Sequence, residues 1–119
     1  MDRNRVLRLF AGMAELEMEK AVEKLPLIDY CIRQLNAKRR PGVTADQDAM
    51  EYACAAVAAY RYCLTGSGEP AVKAGEVTVT PKSAQEKLMA AKAARDEYLL
   101  ACAPYLQDTD FVFCQAVAG

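Results

Sequence analysis

The chain has 119 residues, 53% of them hydrophobic and 26% charged, a balance that fits neither a disordered segment nor a membrane protein. Lys and Arg total 15 against 16 Asp and Glu, so the formal net charge is -1 and nothing global draws the molecule to nucleic acid or acidic membranes. Histidine is absent, and of the five cysteines (Cys31, Cys54, Cys63, Cys102 and Cys114) no two are spaced Cys-x-x-Cys. Such thiols read as small buried hydrophobes in a reducing compartment, so neither a zinc site nor any other cofactor is expected.

The N-terminal stretch lacks the unbroken apolar core of a signal peptide. The longest charge-free run, 52–60, is about half of the roughly 20 residues that cross a bilayer. A cytoplasmic protein with no membrane contact is expected, built as one domain over 1–119.

In chain order, Val6, Leu9, Phe10 and Met13 fall at helical spacing, which predicts a first helix over 2–11 with Gly12 as its break. A second helix is expected over 13–24, rich in Glu15, Glu17, Glu19 and Glu23. Pro26 is costly inside a helix, so it marks a restart, with Leu27, Ile28, Cys31, Ile32 and Leu35 as the buried stripe to about residue 38. Lys38-Arg39-Arg40 suits the negative end of that helix dipole, and Pro41-Gly42 closes the segment.

Thr44-Ala45-Asp46-Gln47 has the form of a capping box opening a central helix to Leu64. Within it only Glu51 and Arg61 carry charge between Met50 and Leu64, and Ala and Cys dominate. A helix apolar all round belongs inside a bundle, touched from several sides. A loop and strand region follows at about 66–81, where 76–80 alternates polar and apolar residues before Pro81. A lone strand needs a partner, and 111–114 in the C-terminal tail (105–119) is the best internal one. Between them, 83–103 reads as a last helix with Leu88, Ala91, Tyr98, Cys102 and Tyr105 inward and Lys87, Lys92, Asp96 and Glu97 on a solvated face. The expected fold is therefore mainly α: four to five helices bundled around the Ala-rich one, with a short β element.

No constellation carries chemistry. The glycines of the 65–70 loop open no phosphate-binding helix, and catalytic residues are not expected. Glu51 is a carboxylate in an apolar helix; the favoured reading sets it in the first turn, beside the helix N-terminus. Arg61 and Arg95 read as buried-edge partners for Glu51, Asp96 or Glu97. Lys38-Arg39-Arg40 with Arg33 is the one dense basic patch, but no recognition helix accompanies it. Tyr52, Tyr60 and Tyr62 read as packing rather than as a base-stacking platform.

The order of features resembles a known group. LPLIDYCIRQLNAKRRPGV (25–43), the Ala-rich helix ending AAVAAYRYCL (55–64), AGEVTVTP (74–81) and APYLQDTDFVF (103–113) look like the head–tail connector, or head-completion, proteins of tailed phages and prophages of Gram-positive bacteria. The resemblance implies a non-enzymatic structural subunit, commonly a twelve-fold ring beneath the portal that extends the DNA channel and docks the next neck or tail component. Its partners would be copies of itself, the portal and the neck or tail proteins, with DNA only as non-specific cargo; it would occupy the host cytoplasm during assembly and the virion neck afterwards. Contacts between subunits or with the portal would fall at 66–81 and 108–117, with Val77, Val79, Phe111 and Phe113 as interface candidates. Arg3, Arg5 and Arg8, and Glu15, Glu17 and Glu19, read first as solvated charged faces, and set against each other they also suit a head-to-tail, ring-closing contact. The alternative is a cytoplasmic helical protein-interaction module, an adaptor or regulator.

Overall fold

The computed structural model describes residues 1–65 and 84–107. Five α-helices, α1 (Arg3–Ala14), α2 (Met18–Val22), α3 (Leu25–Ala37), α4 (Gln47–Leu64) and α5 (Ala84–Ala101), are followed by a 3-10 turn at Ala103–Tyr105. They share one core, in which Val6 and Phe10 of α1, Ile28 and Leu35 of α3, and Leu99 of α5 surround α4. Ten α4 residues are buried, including every residue from Ala53 to Tyr60. Ala55, Ala56, Ala58 and Ala59 are small enough that the neighbouring helices can approach α4 closely where they meet these positions, and α1 and α5 both pack against it.

The helix ends follow from side-chain chemistry. Asp2 Oδ1 accepts the Asn4 and Arg5 amides at 3.0 and 3.4 Å and so caps α1. At the other end α1 passes through Gly12 rather than breaking there. It stops where Glu15 turns left-handed (φ 58°). The Glu15 and Leu16 amides then donate back to Gly12 and Ala11, at 3.3 and 2.9 Å, which is a Schellman closure. That turn uses up part of the expected second helix, and α2 is only Met18–Val22. Pro26 sits in the first turn of α3, where its missing N–H has no carbonyl to lose. α4 is capped by Asp46, whose Oδ1 accepts from Asp48 and Ala49, not by Thr44 as the capping-box motif suggests. The Pro41-Gly42 turn needs a left-handed residue, and Gly42 supplies it at φ 78°.

Among the described residues there is no β-strand. The expected short β element, 76–80 pairing with 111–114, is therefore corrected to a mainly α bundle that contains no strand among the described residues. Both of those segments, with Val77, Val79, Phe111 and Phe113, lie outside the described residues. Among the described residues the β pairing is one antiparallel bridge, Arg39 with Leu106. There the Arg40 amide donates to Tyr105 O at 2.8 Å and the Gln107 amide to Lys38 O at 2.7 Å. Side chains complete the tie, Arg40 Nε donating to Leu106 O and Gln107 Nε2 to Arg39 O. The backbone just past α3, at 38–40, thus finds its partners in the residues that follow α5.

Candidate functional site

Among the described residues, two charged side chains lie inside the bundle. Glu51 is the fifth residue of α4, in its second turn, and is 1% exposed. Its Oε2 accepts the Asp2 amide at 2.6 Å and Gln47 Nε2 at 3.3 Å, while Oε1 accepts Arg5 Nη1 at 2.9 Å. The carboxylate is thus fully engaged by donors from α1, its N-terminal cap and its own helix, which is how a buried charge is tolerated. Arg5 also binds Asp48 and lies over the Tyr52 ring at 5.6 Å. Its pKa is raised, first by the hydrogen bond to Asp48. This cluster clamps the start of α1 onto α4.

Arg95 of α5 is also 1% exposed. Its guanidinium stands 4.4 Å from the centre of the Tyr60 ring, and Nε and Nη2 donate to Asp96 Oδ1 at 2.9 and 2.6 Å. Burial raises the Asp96 carboxyl, but the hydrogen bond and charge of Arg95, with Lys92 behind them, outweigh it and hold the pKa below its ordinary value. Tyr52 stacks on Tyr98 at 5.4 Å and Phe10 meets Tyr62 edge-on at 5.8 Å, so the α4 tyrosines with described ring pairs pack against the neighbouring helices.

Cys31, Cys54 and Cys102 are buried free thiols and Cys63 is half-buried. Burial pushes the pKa of each upward, reaching about 11 for Cys102. Arg61 Nη1 donates to Cys31 Sγ at 3.4 Å without reversing that direction. Raised pKa values keep these groups as thiols rather than nucleophilic thiolates. Among the described residues no group of three or more Cys, Asp or Glu is placed to hold a metal ion, and no helix is long and apolar enough to cross a membrane. A shallow cleft of about 220 Å3 lies between α1, α4 and α5, floored by Ala56, Ala59 and Cys63. At its mouth Lys87 Nζ and Glu15 Oε1 are 3.8 Å apart.

The charged residues expected at a head-to-tail contact are separated by the structure. Arg3 is held within the molecule by Asp29, at 2.7 and 2.9 Å, and Arg5 by Asp48 and Glu51. Glu15 faces Lys87, while Arg8, Glu17 and Glu19 are exposed. What the sequence reading passed over is the outward face of α5. Leu100 is 75% exposed and Met89 59%, the two most exposed large apolar side chains among the described residues. Eleven positions apart, they share one side of the helix, opposite Arg95, Leu99 and Cys102. Exposed Ala93 lies between them. The signal was present, since neither residue belongs to the apolar stripe that predicts the inward face.

Comparison with known proteins finds no matching family model, no matching curated protein and no matching solved structure. What the chain does is therefore argued from its own surface.

Proposed function

We propose that this protein is a helical protein-interaction module, an adaptor or regulator that works by docking rather than by catalysis. The observation that carries the reading is the outward face of α5, where Leu100 and Met89 stand in solvent on one stripe with Ala93 between them. A single exposed apolar side chain is ordinary on a protein surface. Two large ones aligned on the same face of an 18-residue helix are better explained by a surface that is covered in use. The buried charges support the same reading, because Glu51 and Arg95 are bound to neighbouring side chains and hold helices together.

The test compares the immobilised full chain with its Leu100→Asp variant, using circular dichroism to confirm equal helix content. A protein retained in stoichiometric amount by the native chain, whether a second copy or another protein, and lost with the variant is the expected result. Equal retention by both chains would refute the assignment.

A phage head–tail connector subunit is the particular form of this reading in which the docked surfaces are ring neighbours and a portal. It is favoured by the residue order at 25–43 and 55–64, which forms α3 and the Ala-rich α4. Capsid and portal genes upstream with tail genes downstream would support it. Ordinary metabolic or regulatory neighbours would remove that support and leave the general module.

A further inference from the structure

We infer that the outward face of α5 is a self-complementary surface that pairs with the α5 of a second copy, antiparallel, about a two-fold axis crossing near residues 94 and 95. The inference rests on the interaction-module reading and names the occupant of its surface. Met89 and Leu100 lie about 20° apart around the helix and about 16 Å apart along it. Their midpoint falls between residues 94 and 95. In an antiparallel copy sharing that midpoint, Met89 of each chain meets Leu100 of the other, so both exposed apolar side chains are covered at once. Ala93, exposed and next to the midpoint, lets the two backbones approach where they cross.

The charges obey the same symmetry. Lys92 and Asp96 lie on one flank of this stripe, on either side of the midpoint, with Lys92 Nζ 3.3 Å from Asp96 Oδ2. Antiparallel pairing brings Lys92 of each copy level with Asp96 of the other and forms a ring of four alternating charges. A parallel pair would instead put the Lys92–Asp96 flanks of the two copies on opposite sides of the contact, where neither lysine meets an acid of the other copy. A two-fold contact needs such an isologous patch, and α5 provides one. One helix face buries less than the roughly 1,200 Å2 of a standard interface, so the pairing is weak and reversible.

Sedimentation equilibrium of the full chain over a concentration series tests the idea. It is followed by zero-length carbodiimide cross-linking of an equal mixture of 15N-labelled and unlabelled protein. The expected result is a monomer–dimer equilibrium whose dissociation constant rises about tenfold or more in Leu100→Ser, from the lost burial of that side chain. Lys92→Glu, which removes the attraction without touching the apolar pair, weakens the dimer as well. Mixed-isotope dimers should carry a Lys92 linkage to Asp96 or Glu97 of the other copy. A dimer unaffected by Leu100→Ser, or one linked elsewhere, overturns the pairing. A chain that stays monomeric while it still loses another protein on Leu100→Asp also overturns it, and leaves the interaction-module reading intact. A monomer that loses nothing on that change overturns both.

Discussion

Replacing Glu51 by Gln removes one charge and one acceptor from the clamp while keeping the side chain's shape. Oε2 now accepts both the Asp2 amide and Gln47 Nε2, and Oε1 accepts Arg5. A glutamine has one oxygen, so one of those two positions must become an amide NH2 facing a donor. If the oxygen stays on Arg5, the Asp2 amide loses its acceptor beside a residue that is 1% exposed. A buried unpaired donor costs about 1–3 kcal/mol. Gln47 is exposed and can turn to water, and Arg5 keeps Asp48, so these two contribute little. The expected loss is about 2 kcal/mol, which for an unfolding entropy of about 0.25 kcal/mol/K lowers Tm by roughly 8 °C. Calorimetry of the two proteins gives the magnitude, and hydrogen exchange gives the place, with protection falling first in the α1 amides. A Tm change under about 2 °C, or exchange that rises evenly over all helices, would refute the clamp.

Other consequences of the fold are open to simpler measurements. Gly12 lies inside α1 with nothing within 4 Å of a Cβ placed on it, so Gly12→Ala should raise stability by about 0.5–1 kcal/mol in urea unfolding. Asp46→Ala removes the α4 cap and should cost about 1 kcal/mol, whereas Thr44→Ala should change little. Alkaline pH should destabilise the protein through its thiols. Cys102 has a folded pKa of about 11, above the ordinary 9.0, first because of burial and then because of Asp46. The unfolded chain therefore gives up that proton before the folded one does, and the stabilisation is complete below pH 9.0 and is lost as pH climbs toward about 11. Urea midpoints measured at about pH 8 and about pH 10.5 should fall in that order, with Cys31 and Cys54 adding in the same direction.

The helices were readable because their signals are local. Spacing of Ile28, Cys31 and Leu35, a proline able to start a helix, and a charge-poor Ala-rich run each specify structure within a dozen residues. The failures also have physical causes. Gly12 reads as a breaker, yet one glycine costs a helix interior only about 1 kcal/mol, while the real stop is Glu15 in a left-handed conformation that its residue type does not advertise. Thr44 and Asp46 both satisfy capping chemistry, and only the backbone decides between them. The sequence alone sets Glu51 beside the helix N-terminus because its partners, the Asp2 amide and Arg5, lie 49 and 46 residues away along the chain. Alternation at 76–80 suggests a strand, but local alternation does not say whether a pairing partner exists; that segment lies outside the described residues, among which there is no strand. Charge clusters draw attention to Arg3 and Arg5, whose side chains the fold pairs within the molecule, whereas the exposure of Met89 and Leu100 depends on which face α5 buries.

Methionine oxidation read by mass spectrometry tests the central claim most directly, because the chain carries its own control. Met89 on α5 and Met18 on α2 are both exposed, at 59% and 45%. If the α5 face is a docking surface, Met89 becomes protected as the concentration of the protein or of its retained partner rises, while Met18 keeps its rate. Equal oxidation of the two at every concentration, with and without a partner, would contradict the account.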